Sequence, residues 1–150
     1  KIPVEKLTEI CKALGLPIVL LGGKEDQETG EFLAGLDPDK ILNACGIYSI
    51  NESACLVKQA RVILTPDTGL MHIAAAFKKP IVAVWGNTIP QFGMYPYSGH
   101  FSSPYINMEV PDLSCRPCSK IGYDTCPKKH FRCMKEQEVA VIVRNIRSYW

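Results

Sequence analysis

The sequence predicts an α/β domain, a parallel sheet with helices on both faces. Three observations carry this. Short apolar runs (Pro17 to Leu21, Ile41 to Ala44, Arg61 to Thr65 and Pro80 to Trp85) alternate with segments of helical spacing. The runs lack in-out alternation, as strands buried on both faces do. The chain has 150 residues, which fits one compact domain, and no linker divides it.

Each element has its own signal. Val4, Leu7, Ile10, Cys11 and Leu14 fall at helical spacing, and Gly15 stands where that helix would stop. The run to Leu21 ends at Gly22-Gly23, a strand followed by a tight turn. Residues 25 to 35 are polar apart from Phe32 and Leu33 and read as an exposed helix. Ile41 to Ala44 is a short strand ended by Gly46. Asn51 can cap a helix that turns Ala54, Leu56, Val57 and Ala60 inward. Arg61 to Thr65 is the next strand, Gly69 to Phe77 a helix, and Pro80 to Trp85 a further strand. Both strands are expected in the same sheet as residues 18–21. From Gly86 to Pro104 the pattern dissolves into a long loop, the kind that often carries function. Phe101 to Met108 holds a last strand. A cysteine-rich segment spans 113–134, and a helix at about 135–148, marked by Val139, Ile142, Val143 and Ile146, closes the domain.

Composition narrows the function. With 47% hydrophobic and 21% charged residues, the chain is neither a disordered tail nor a collagen-like polymer. No apolar run approaches the ~20 residues that span a bilayer. Seventeen basic against fifteen acidic residues is too even to argue for nucleic acid. The chain opens on Lys1 with no Met, charged leader or apolar segment, so no signal peptide is expected, and the pattern starts as if cut from something larger. Cys11, Cys45 and Cys55 read as small buried hydrophobes in a reducing compartment.

In an open parallel sheet, ligands bind beyond the carboxyl ends of the strands. Those ends here are Gly22 to Glu25, Gly46 to Ser49, Pro66 to Gly69 and Gly86 to Thr88. The sharpest segment runs from Thr65 to Ala76. Asp67 or Thr68 can cap its helix, Gly69 leaves the first turn open, and His72 follows one turn in. Such a helix end is an anion site, and a phosphate or pyrophosphate is its natural guest. A capped core helix with a packed His72 explains the same spacing. Neither G-x-G-x-x-G nor G-x-x-x-x-G-K-[ST] occurs, which disfavours a dinucleotide dehydrogenase or a P-loop nucleotidase. Cys115, Cys118, Cys126 and Cys133 begin with a C-x2-C pair, and four thiolates would satisfy a structural zinc. Free thiols and redox chemistry remain open beside it.

The run Ala60-Arg-Val-Ile-Leu-Thr-Pro-Asp67-Thr68-Gly69-Leu70-Met71-His72-Ile-Ala-Ala-Ala, followed by Lys79-Pro80-Ile-Val-Ala-Val-Trp-Gly86, resembles glycosyltransferase family 9, the heptosyltransferases of lipopolysaccharide assembly and their relatives. The four clustered cysteines with Met134 and the Val-rich helix resemble that family's C-terminal end, so the likeness runs from Leu7 to Ile146.

The resemblance implies the C-terminal, donor-binding half of a GT-B fold, with a Rossmann-like parallel sheet over residues 1–150. It implies that Asp67, Thr68, Gly69 and His72 hold the donor diphosphate and its sugar side. Glu25 falls at a ribose or base contact, and Tyr48 where a side chain packs on the base. The family's phosphate-binding basic residue is expected upstream of Lys1. The donor would be a nucleotide sugar, ADP-heptose first. The acceptor would be a lipopolysaccharide core, reached through an N-terminal domain that also carries the base. Transfer would invert and need no metal on the nucleotide sugar. The setting would be cytoplasmic, extending to a peripheral position at the inner face of the inner membrane, without nucleic acid. The fragment alone would bind nucleotide without turnover. The alternatives are a UDP-sugar epimerase-like domain, a non-catalytic nucleotide-binding module, and a zinc-stabilised nucleic-acid module built on the cysteine segment.

Overall fold

Two ladders of parallel strands, sandwiched by helices, make up the computed structural model, which describes residues 1–97, 99, 104–123 and 125–150. The elements are α1 (Val4–Leu14), β1 (Ile18–Leu20), α2 (Gln27–Ala34), β2 (Ile41–Asn43), α3 (Ile50–Gln59), β3 (Ile63–Pro66), α4 (Gly69–Ala76), β4 (Ile81–Val84), β5 (Tyr105–Met108), α5 (Arg132–Lys135) and α6 (Val139–Arg147). Gly15 ends α1 in the left-handed conformation, with φ +62°, where a side chain would be strained.

Strand β1 pairs in parallel with β2, and β4 pairs in parallel with both β3 and β5. The single sheet expected for residues 18–21, 62–65 and 81–85 is corrected: β1 and β3 share no ladder. Each strand is bonded on its far side, and prolines thin the donors on the near one. The Ile18 N–H bonds to Lys40 O on the β2 side, and the Ile63 N–H to Pro80 O on the β4 side. Backbone groups alternate along a strand, so Pro17 and Pro66 occupy the facing edges of β1 and β3. Neither has an N–H to donate. Side chains join the ladders instead: Ile18, Val62 and Leu64 pack against one buried cluster with Val82 and Val84.

Helices cover both faces. Val82 and Val84 turn toward Ile10 and Leu14 of α1 and Ile142, Val143 and Ile146 of α6. Ile81, Ala83 and Trp85 turn the other way, onto Val57 of α3 and Met71, Ala74 and Ala75 of α4. The small alanines let α4 approach the sheet closely. Every residue of β4 is fully buried, which is why its sequence is continuously apolar.

Several expectations shift. The segment 25–35 begins as a 3₁₀ turn, and α2 buries Gly30 and Leu33, so it is exposed on one side only. Asn51 lies inside α3; the cap is Ser49, reciprocated by Glu52. Cys11 and Cys45 are buried, and burial pushes both thiols up, but Cys55 is exposed. It sits on the outer face of α3, where helical spacing cannot distinguish a small thiol from a polar residue. The last strand starts at Tyr105; residues 101–103 of the expected run lie outside those described. The closing helix is two helices, α5 and α6, broken between Glu136 and Glu138.

Candidate active site

The carboxyl ends of β3 and β4 frame a cleft of about 410 Å³. Pro66, Val84, Gly86 and Met134 line it with Asp67 and Thr88; Asn87, Ile121, Gly122 and Tyr123 border it, together with Lys1. Gly86 packs closely on Met134: a Cβ there would come within 2.8 Å of Met134 Cε, so the methionine would have to move.

The N-terminus of α4 is left open. Thr68 takes the cap position in extended backbone, but its side chain makes no cap bond. Its Oγ1 sits 3.1 Å from Thr65 Oγ1 instead. Asp67 also turns away from the helix, and its Oδ2 accepts from Thr88 Oγ1 at 3.1 Å. Thr88 and Thr65 are both buried, so these orientations are fixed by packing. The N–H groups of Gly69 and Leu70 meet no acceptor among the described residues. A Cβ at Gly69 would meet nothing within 4 Å. Unbonded donors at the positive end of a helix dipole, with free space ahead, make an anion-binding geometry.

Of the residues nominated from sequence, Asp67 lines the cleft, and Thr68 and Gly69 adjoin it. His72 is exposed on α4 and does not line it. Glu25 and Tyr48 are exposed on neighbouring loops. Those loops are bonded by Gly46 N–H to Gly22 O at 2.9 Å, and Gly46, with φ +68°, lies too close to Lys24 Cα for a side chain. Neither Glu25 nor Tyr48 lines the cleft.

Lys1 connects the cleft to the loop that carries Glu25. It borders the cleft, its Nζ donates to Asp26 Oδ1 at 2.6 Å, and it lies 3.9 Å from Glu25 Oε1. The bond to Asp26 pushes its pKa up, so it stays a cation. Lys1 is therefore a basic residue ahead of α1 at this cleft, beside the one expected upstream of it. The Lys-Ile-Pro start ahead of the first helix was the available signal.

The cysteine segment is ordered by Arg116, which sequence reasoning passed over between two cysteines. Its buried guanidinium donates to Gly86 O, to Thr88 O at 3.0 Å, to Val110 O at 3.2 Å and to Glu109 Oε2 at 3.0 Å. Gln137, also buried, donates to Trp85 O at 3.1 Å and Cys133 O at 2.9 Å, tying α5 to the end of β4. Cys118 donates through Sγ to Cys115 O at 3.3 Å, and Cys126 Sγ accepts from the Phe131 N–H at 3.4 Å. That N–H holds the Cys126 thiol below its ordinary pKa, while burial pushes Cys118 and Cys133 up. All four are free thiols, and among the described residues no three His, Cys, Asp or Glu side chains are grouped to hold a metal ion.

Fold and site together define a doubly wound α/β domain with an open helix N-terminus where its strands end. The chain belongs to glycosyltransferase family 9 (heptosyltransferase), whose model matches residues 4–125. It is 36% identical over 91 residues to lipopolysaccharide heptosyltransferase 2 of Escherichia coli K12, covering 56% of this chain and 26% of that protein. It is 34% identical over 91 residues to lipooligosaccharide heptosyltransferase 2 of Haemophilus influenzae, covering 58% and 26%. The chain thus spans about a quarter of the length of these curated relatives. A family 9 glycosyl transferase from Veillonella parvula superposes with TM-score 0.70 at 21% identity, covering 98% of this chain and 41% of that one. E. coli ADP-heptose LPS heptosyltransferase II does so with TM-score 0.65 at 22% identity, covering 98% and 43%. These neighbours have the GT-B type of fold.

Proposed function

We propose that this chain is the donor-binding, C-terminal half of a two-domain glycosyltransferase that moves heptose from ADP-heptose to a lipopolysaccharide core acceptor. The observation that carries this is the open α4 N-terminus, framed by the Thr88–Asp67 bond and bordered by Lys1, in a chain of this family. The sugar and the acceptor class are those of the relatives, lipopolysaccharide heptosyltransferase 2 and the ADP-heptose LPS heptosyltransferase II of E. coli.

In this reading the Gly69 and Leu70 N–H groups and the Lys1 ammonium take the donor diphosphate. They stabilise the charge that builds on it as the glycosidic bond breaks. Asp67, fixed by Thr88, accepts from sugar hydroxyls. His72 reaches the diphosphate only by turning over the helix end. Glu25 and Tyr48, on loops beside Lys1, meet the nucleoside. The base that deprotonates the acceptor comes from an N-terminal domain, so the chain alone binds donor without turnover. The reaction inverts and needs no metal on the nucleotide sugar. It takes place in the cytoplasm, with the enzyme peripheral at the inner face of the inner membrane; among the described residues no helix is long and apolar enough to cross a membrane.

Calorimetry with ADP, ADP-heptose and UDP tests this. ADP and ADP-heptose bind, weakly without an opposing domain, and Asp67→Ala lowers ADP-heptose affinity about tenfold, the scale of one charged hydrogen bond. His72→Ala lowers it less, and Glu28→Ala, on the far side of the first turn, leaves it unchanged. Equal losses at all three positions would show destabilisation and overturn the site. Preference for UDP would favour the epimerase-like alternative.

A further inference from the structure

The cleft has a second wall that the donor-site reading leaves idle. Residues 118–123 hang on Asn87 at three points. The Cys118 N–H donates to Asn87 O at 2.9 Å, and Asn87 Nδ2 donates to Tyr123 O at 2.9 Å. Gly122, at φ +82°, lies so close that a Cβ would stand 3.0 Å from Asn87 Oδ1. Ser119 Oγ closes the turn on Gly122 O at 3.0 Å. A loop this firmly held nonetheless presents Ile121, 85% exposed, and Tyr123, 54% exposed, at the cleft they line.

Exposed apolar side chains on a pinned loop stand against a buried-threonine-oriented carboxylate on the same cleft. A sugar ring has the matching chemistry. Its hydroxyl rim offers donors to a carboxylate, and its C–H face is apolar and packs on an isoleucine or on the face of a phenol ring. Pockets that fix a small ligand combine such an apolar lining with a few placed polar groups. A diphosphate at α4 would leave its sugar between these walls.

We propose that Ile121 and Tyr123 form the sugar-face wall of the donor site, packing on the C–H face of the transferred sugar while Asp67 accepts from its hydroxyls. This rests on the donor-site reading and assigns the wall to the sugar, not the nucleotide. The backbone bonds to Asn87 place the wall, so its side chains can be changed without loosening the loop.

The test compares ADP with ADP-heptose by calorimetry on the wild-type chain and on Tyr123→Ala, Tyr123→Phe and Ile121→Ser. Tyr123→Ala should weaken ADP-heptose about fivefold, the scale of one lost ring contact, and leave ADP within twofold. Tyr123→Phe should keep wild-type affinity for both, and Ile121→Ser should weaken ADP-heptose alone. Equal weakening of both ligands by Tyr123→Ala, or of neither, overturns the wall assignment while the donor site stands. A wild-type chain that binds neither ligand overturns the donor site and the wall with it.

Discussion

The N-termini of α3 and α4 occupy equivalent places, each following a strand at the same edge of the fold, yet they are finished differently. At α3 the Ser49 and Glu52 side chains close on one another. The Glu52 N–H donates to Ser49 Oγ at 3.4 Å, and Glu52 Oε2 accepts from the Ser49 N–H at 2.8 Å and from its hydroxyl at 2.7 Å. At α4 the cap residue is turned to Thr65 and the acid beside it to Thr88. One helix end is satisfied from its own sequence, while the other is held open by neighbours. A helix end becomes a site when the groups that could cap it are bonded elsewhere and the space ahead is free.

The strongest way to break this contrast is Arg116→Ala. Its guanidinium holds Gly86 O and Thr88 O, and Thr88 holds Asp67. Removing it leaves three carbonyls, those of Gly86, Thr88 and Val110, and Glu109 without this donor, at a cost of about 3 kcal/mol. For a domain of this size that lowers Tm by roughly 6–12 °C. Hydrogen exchange should speed up across residues 110–123 and at the start of α4, and stay unchanged at α3. A chelator added to the wild-type chain should leave the same segments protected, because these hydrogen bonds already order them. Loss of protection on chelation would establish the structural zinc at Cys115, Cys118, Cys126 and Cys133.

Next in size is Gly69→Ala. The added methyl meets nothing within 4 Å, and the position has no positive φ. Replacing glycine at a helical position should therefore raise stability, by up to about 0.5–1 kcal/mol. The same methyl stands where a phosphate would approach the Gly69 and Leu70 N–H groups, so ADP affinity should fall about tenfold. Thermal melts and calorimetry together separate the outcomes. A glycine kept for folding would give lower stability, and a glycine kept for nothing would give unchanged binding.

The legible parts of this molecule were those written as periodicity or as backbone chemistry. The α1 spacing with Gly15, the β4 run and the Asp67-Thr68-Gly69 helix start all stand where their residues pointed. What periodicity could not carry was pairing: that β1 and β3 share no ladder appears only once the strands are placed. The same holds for the site. Asp67 was readable as a cap candidate, but its turn toward Thr88, twenty-one residues on, depends on how β3 and β4 align. Lys1 and Arg116 were missed because each acts across a long sequence separation, on the 22–26 loop and on the end of β4. Neither sits in a local pattern that announces it.

The smallest effect sharpens the closed end of the comparison. Ser49→Ala removes the α3 cap and should cost about 1 kcal/mol, the usual loss for such a cap, with no effect on ADP binding. The Glu52 half of the cap adds a pH dependence. Its carboxylate accepts first from the Ser49 hydroxyl and then from the Ser49 N–H, and these hold its pKa below the ordinary glutamate value. A carboxylate whose pKa is depressed by folding stabilises the fold above its unfolded pKa of about 4.3, and the contribution is lost as pH falls through the folded value. Wild-type stability, measured by urea melts from pH 7 down to pH 3, should therefore carry a small extra fall at the acid end. Glu52→Gln, which cannot titrate, should lack that component and lie below wild type at pH 7, with the two converging as pH drops. Parallel curves at all pH values would mean that the Ser49–Glu52 closure contributes nothing through charge, leaving α3 and α4 distinguished only by the direction their cap side chains face.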